Sequence, residues 1–223
     1  SVMNNARGKL SLIIDNTLAS PMLYNPLKDI GSDVEAVVVE SGTKHYQKGR
    51  DRITLGICYA RDQEKIRKIK EKRTELGTYL QPRTEREIPK DITTAMPKIL
   101  KRHAENALNL AGALHAGGVV GITVHHPNLP SHAQHELVQT IAPEGLVTLF
   151  YLTVSNAEEF VQRVKKIGGD IIGVGGSFGH KKTWLMYIGE DTVRIATGSE
   201  SKKDFQEVLR IFEEVLQSYK TNA

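Results

Sequence analysis

Short apolar runs that stop abruptly at polar clusters organise this chain. Residues 12–14 (LII) end at Asp15-Asn16-Thr17, and residues 37–39 (VVV) end at Glu40-Ser41-Gly42-Thr43-Lys44. Runs of that length with polar ends predict buried strands of an α/β sheet, over 11–15 and 35–40. Residues 53–59, ITLGICY, predict a third strand with a central glycine and with Cys58 buried in the core. The turn-rich stretch 16–26 separates the first two, with a short helix expected near 25–30. Residues 61–80 read as a solvated amphipathic helix with Ile66 and Ile69 on one side, and 81–89 as a loop with two prolines. Residues 91–115 predict a second helix, started or interrupted near Pro97 and ended by Gly117-Gly118. Beyond it strands and helices alternate. Strands are expected at 119–124, 146–154, 171–174, 184–188 and 192–197. Helices are expected at 131–140 with Ser131 as N-cap, at 155–167 and at 201–219, an α+β arrangement.

Composition narrows the class without naming it. At 223 residues, 39% hydrophobic and 25% charged, the chain has the make-up of one or two globular domains. No apolar run approaches a membrane span, and no basic-then-apolar pattern suggests secretion. The single cysteine permits no intrachain disulfide and fits a reducing cytoplasm. The net charge of +4 is spread over helices among acidic neighbours, which argues against nucleic acid.

Candidate chemistry gathers where the first two strands end. In open α/β sheets ligands sit beyond the carboxyl ends of the strands, so Asp15 and Lys44 are expected to face one crevice. A lysine amine condenses with carbonyl compounds, and a carboxylate can keep a pyridine nitrogen protonated. Those are two handles of a pyridoxal 5'-phosphate (PLP) site. The residues alone leave open a solvated loop lysine and an Asp-Asn-Thr turn.

Asp15-Asn16-Thr17-x-x-Ser20-Pro21 followed by Ser41-Gly42-Thr43-Lys44 resembles the signature of the PLP-dependent enzymes of cysteine and methionine metabolism. These include cystathionine γ-synthase, cystathionine lyases, methionine γ-lyase and O-acylhomoserine sulfhydrylases. The likeness continues through His103-Ala-Glu-Asn106-Ala-Leu and the segment from His126-Pro-Asn-Leu-Pro-Ser through His132 and His135 to Glu136. It reaches Ser177-Phe-Gly and Arg194-Ile-Ala-Thr-Gly-Ser-Glu. The His126–Glu136 spacing matches no standard zinc pattern and is read as a structural entry to a helix.

The resemblance implies the C-terminal part of a fold-type-I PLP-dependent transferase. Residues 1–96 would belong to the large cofactor domain, and 97–223 to a linking helix and a small α+β domain. Lys44 would be the Schiff-base lysine and proton carrier, Asp15 the partner of the pyridine nitrogen, and Ser41 and Thr43 phosphate ligands. Ser177 and Arg194 would hold a substrate carboxylate. The implied reactions are β- or γ-elimination or γ-replacement on sulfur amino acids or activated homoserine esters. An aminotransferase or a non-catalytic assembly unit are the alternatives.

Implied partners are a small amino-acid substrate, the N-terminal half of the same enzyme and further copies in a homodimer or homotetramer, with neither nucleic acid nor membrane. The family's N-terminal phosphate loop and ring-stacking tyrosine have no counterpart here, so the chain alone is expected to be inactive. Two departures stand out. After Lys44 the run is His45-Tyr46-Gln47-Lys48-Gly49-Arg50-Asp51, and the link between Ser177 and Arg194 is short.

Overall fold

The computed structural model describes residues 10–141 and 147–220. Strand β1 (Ser11–Asp15) runs parallel to β2 (Glu35–Ser41), with Leu12 opposite Ala36 and Asp15 opposite Val39. Strand β3 (Gly56–Tyr59) adds antiparallel to β2, which gives the order β1-β2-β3. Alternation sorts the two faces. Leu12, Ile14, Ala36, Val38 and Tyr59 pack with Leu27 and Ile30. The opposite face carries Ile13, which is 81% exposed, together with Asp15, Val39, Ser41 and Cys58.

Cys58 is therefore exposed rather than buried. The apolar run suggested a strand covered on both sides, whereas among the described residues only one face of this sheet is covered. The strand also starts at Gly56 and not at residue 53. The Ile53 backbone is bonded to the Gln47 side chain and the Leu55 carbonyl to Gly42 N, so neither joins the ladder.

The connections differ from expectation for local reasons. The helix expected near 25–30 is only a 3₁₀ turn (Pro26–Lys28), whose entry is capped by Asn25 Oδ1 on Leu27 N, and a short helix, α1 (Ser20–Leu23), stands in the turn-rich stretch before it. Helix α2 (Gln63–Glu75) is capped by Asp62 and ends before Gly77, whose φ of 65° breaks it. A single turn, α3 (Pro82–Glu85), stands in the expected loop. Helix α4 (Ile92–Ala116) runs unbroken through Pro97, so the expected start or break there is corrected. A proline this near the N-terminus removes only one backbone bond. The expected division at 96/97 thus falls inside a helix.

The second sheet comprises β4 (Thr123–His125), β5 (Leu149–Thr153), β6 (Gly173–Val174), β7 (Trp184–Ile188) and β8 (Thr192–Ala196). Its order is β4-β5-β8-β7-β6, antiparallel except for the β6–β7 pair. Helix α6 (Ala157–Gly168), capped by Asn156 Oδ1 on Glu159 N, and helix α7 (Lys202–Lys220) pack on it with α4. Phe160, Val164, Leu152, Ile195, Val208 and Phe212 form the dry centre of this layer.

Strand β4 starts later than residue 119 because 119–122 form a turn, with Gly121 at φ 83°. Helix α5 (His135–Ile141) likewise opens after Ser131, because three successive turn bonds occupy residues 126–135. Residue 146, expected to open a strand, lies outside the described residues. Among the described residues no helix is long and apolar enough to cross a membrane.

Candidate active site

The parallel pair β1–β2 brings two strand tips side by side. Asp15, the last residue of β1, points to the open face with Ser41 at the end of β2. Thr17 joins the tips. Its N–H and Oγ1 donate to Asp15 Oδ1 at 2.9 and 2.5 Å, and its Oγ1 accepts from Ser41 N at 2.9 Å. The Ser41 and Thr43 hydroxyls lie 2.7 Å apart. Two strand tips therefore present an exposed carboxylate and a pair of hydroxyls on one rim.

Beneath the rim lies a buried acid. Glu40 is 4% exposed and accepts from Tyr46 OH at 2.8 Å, Tyr59 OH at 2.9 Å and Asn16 Nδ2 at 3.2 Å. Burial, reinforced by the bond to Glu40, pushes both tyrosine hydroxyls above their ordinary range. A buried carboxylate needs this many donors to be tolerated. It fixes the end of β2, from which the Lys44 loop departs.

Gln47 shapes that loop. Its Nε2 donates to the Gly42 and Ile53 carbonyls at 3.0 and 2.7 Å, and its Oε1 accepts from Arg52 N and Ile53 N at 3.0 and 3.1 Å. One buried side chain thus satisfies backbone groups on both legs of the loop. Gln47→Ala leaves all four without a partner and is expected to destabilise the chain by about 3 kcal/mol. Urea unfolding followed by circular dichroism measures this, and a loss under about 1 kcal/mol would refute the role.

The loop delivers Lys44 to a third group of residues. Lys44 Nζ lies 3.0 Å from Asp51 Oδ2 and 3.0 Å from Ser177 Oγ, and Ser177 Oγ donates to Asp51 Oδ2 at 2.5 Å. The Phe178 ring centroid is 5.8 Å from Nζ. Arg194, on β8, donates from Nη2 to the Gly176 carbonyl at 2.5 Å and lies 3.7 Å from Met186 Sδ. The glycine-rich segment 173–179 is therefore held by Arg194 at Gly176 and meets Lys44 at the next two residues, Ser177 and Phe178.

His45 packs the loop down. It is 4% exposed, its ring sits edge-on to Phe178 and His103 with centroids 5.3 and 6.1 Å away, and its Nε2 lies 3.2 Å from the Leu18 carbonyl. Burial, with His103 adding to it, lowers its pKa to about 3.

The structure places the six residues singled out from the sequence in two groups. Asp15, Ser41 and Thr43 line the strand tips, while Lys44, Ser177 and Arg194 lie along the 173–179 segment. Lys44 is common to both by adjacency to Thr43. Sequence reasoning passed over Thr17, Gln47 and Asp51 as site residues. Thr17 lies inside the Asp-Asn-Thr motif, which was its signal. Gln47 and Asp51 lie in the stretch that departs from the family pattern, and nothing in their spacing marked them.

A family model described as Cys/Met metabolism PLP-dependent enzyme matches residues 2–187. A cystathionine beta-lyase from Neurospora crassa is 31% identical over 180 residues, covering 80% of this chain and 36% of the relative. Cystathionine gamma-lyase from Homo sapiens is 26% identical over 219 residues, covering 91% and 52%. Among solved structures, a methionine gamma lyase from Micromonospora echinospora superposes with a TM-score of 0.76 at 22% identity, covering 92% of this chain and 56% of that one. The chain spans about a third to a half of the length of these relatives.

Proposed function

This chain belongs to the Cys/Met metabolism PLP-dependent enzyme family, of fold type I, and from that premise we propose that it is the C-terminal portion of a trans-sulfuration-type lyase in which Lys44 is the point of cofactor attachment. Its substrates would be sulfur amino acids or activated homoserine esters, undergoing β- or γ-elimination or γ-replacement. The observation that carries the reading is the donor set. An exposed carboxylate, paired hydroxyls and an amine lie on consecutive stretches at the tips of two parallel strands.

That set fits PLP group by group. Ser41 and Thr43 offer hydroxyls for phosphate oxygens, Asp15 a carboxylate for a protonated ring nitrogen, and Lys44 the amine for the aldehyde. Thr17, bonded to Asp15, holds that carboxylate in one orientation. When bound, PLP supplies an electron sink for charge developing at the substrate carbon. The chain's own residues do the rest. Lys44 Nζ takes the proton from the substrate α-carbon and returns it. Arg194 binds the substrate carboxylate. Its guanidinium carries five N–H donors, of which only those on Nη2 are engaged among the described residues. Ser177 adds a hydroxyl beside it.

The open face of the β1–β2–β3 sheet suits a missing layer of the same enzyme. Ile13, 81% exposed, and Val39 would be covered there, and the relatives are about two to three times as long as this chain. Further copies in a dimer or tetramer would complete the assembly.

The test is to add PLP to the purified chain, reduce with borohydride and map the adduct by peptide mass. One adduct, on the peptide containing Lys44, is expected. Adducts scattered over exposed lysines in proportion to their exposure would overturn the reading.

A further inference from the structure

The loop after Lys44 is where the sequence leaves its family pattern, and its geometry is unusual at the same place. Lys48 and Asp51 both adopt positive φ, 53° and 48°, a conformation uncommon outside glycine though one that aspartate tolerates better than most. The left-handed turn at Asp51 folds the loop back on its own start. Seven residues of chain thereby return a carboxylate to the Lys44 amine, 3.0 Å away.

Ser177 comes from 133 residues further on and closes the triangle. It lies 3.0 Å from the same Nζ and 2.5 Å from the same carboxylate oxygen. The ion pair is sheltered, with 23% of the lysine and 31% of the aspartate side chain exposed. His180, Phe178 and His45 surround it, and His180 responds electrostatically to both Asp51 and Lys44. Lys181 and Lys182 are the further charges on that segment, and Lys182 also acts on His180.

We propose that Asp51 is the positioning residue of Lys44: its carboxylate and the Ser177 hydroxyl hold the amine in a closed, ion-paired rest position that must open before the amine reacts with a carbonyl compound. An amine attacks through its nitrogen lone pair, and an ammonium bonded to a carboxylate has none to offer. The clamp also links the two sheets. Arg194 holds Gly176, Ser177 follows it, and Ser177 touches both Asp51 and Lys44. A ligand that draws Arg194 or Ser177 away loosens the hold on Lys44. Attachment at Lys44 and carboxylate binding at Arg194 are therefore coupled through Asp51.

This deepens the reading of Lys44 given above, so the experiment must separate the two. The full chain is labelled with limiting acetic anhydride, and each lysine's rate is read by mass spectrometry with exposed Lys28 and Lys203 as internal references. Lys44 in the unaltered chain is expected to react at least 5-fold more slowly than the references. Asp51→Asn, which keeps size and tolerance of the left-handed turn, is expected to raise the Lys44 rate about 5-fold and leave the references unchanged. Asp51→Glu restores most of the protection, which a role in loop structure alone would not. Ser177→Ala gives a smaller rise.

A Lys44 rate in Asp51→Asn within 2-fold of the unaltered chain overturns the proposal. Should the asparagine variant not fold, Asp51→Gly, which accommodates a φ of 48°, decides in the same way. PLP trapping runs alongside on the same proteins. A trapped adduct away from Lys44 with acetylation still released by Asp51→Asn overturns the attachment reading and supports the clamp. A Lys44 adduct with unchanged acetylation does the reverse.

Discussion

Replacing Lys44 with alanine abolishes the borohydride-stable attachment of PLP to this chain. The expected loss is more than 10-fold, down to the level set by random reaction at exposed lysines. The chain has many other amines, most of them well solvated, as along the exposed face of α2. What distinguishes Lys44 is its place, at the end of β2 beside two hydroxyls and held against Asp51. The substitution removes an ion pair that is about a quarter exposed, and pairs of this kind contribute on the order of 1 kcal/mol. Asp51 and Ser177 keep their bond to each other when the amine is gone. The variant is thus expected to fold, and far-ultraviolet circular dichroism checks that it does. If folded Lys44→Ala still gives one reduced adduct in full yield, another lysine is the attachment point. If neither protein gives a specific adduct, the remnant interpretation, an assembly unit without chemistry, takes its place.

Much of this site could be read from the chain because its parts are local. Asp15 to Thr17 and Ser41 to Lys44 each lie within a few residues, and the apolar runs before them fix where the strand tips fall. Parallel pairing of those runs then sets the carboxylate and the hydroxyls on one face, since residues of one parity share a face. Two kinds of information were not local.

One is the pairing of Ser177 with Lys44, which depends on how the 173–179 segment is held by Arg194 far along the chain. The other is backbone conformation. Lys48 and Asp51 take left-handed angles without being glycine, so no residue type announced the turn that carries Asp51 back. Gln47 was equally silent, because its role is to bond backbone groups that only the folded loop brings together. Cys58 shows the opposite error. Its apolar neighbours suggested burial, and the bare face of a three-stranded sheet left it exposed.

Acidification is expected to unfold the chain, and the cause lies in its buried histidines, two of which meet at the joint between the Lys44 loop and α4. Three histidines are buried: His45, His103 and His126. Burial lowers their pKa values to about 3, 4 and 4. The carbonyl bonds of His45 and His103 work against this direction, and burial outweighs them. His45 Nε2 faces the Leu18 carbonyl and His103 Nδ1 lies 2.5 Å from the Thr197 carbonyl, so each of those nitrogens carries the hydrogen. Among the described residues the second nitrogens, His45 Nδ1 and His103 Nε2, are buried without a partner. A second proton would create a charged donor with nothing to receive it.

The sign follows from linkage. A depressed histidine pKa contributes stability that is fully present above about pH 6.5 and is lost as pH falls toward the folded-state values near 3 to 4. Between those limits the unfolded chain takes up protons that the folded chain refuses. Three such groups amount to about 5 kcal/mol lost between pH 7 and pH 5, comparable with the whole stability of many domains. Glu200 acts in the opposite direction. Burial raises its carboxyl, so the folded chain binds that proton first and regains part of the loss at lower pH.

Urea midpoints at pH 7 and pH 5 measure the effect, and equal midpoints would sink the account. His103→Gln, which stays neutral throughout, should flatten the dependence by about a third. Trp184, the chain's one tryptophan, stacks on His180 with ring centroids 4.5 Å apart and reports on the same region by fluorescence. Because His45 directly follows Lys44, its protonation loosens the loop's hold against Phe178 and His103. The tryptophan signal should therefore shift as pH falls from 7 toward 5, the range in which the histidine protons are taken up.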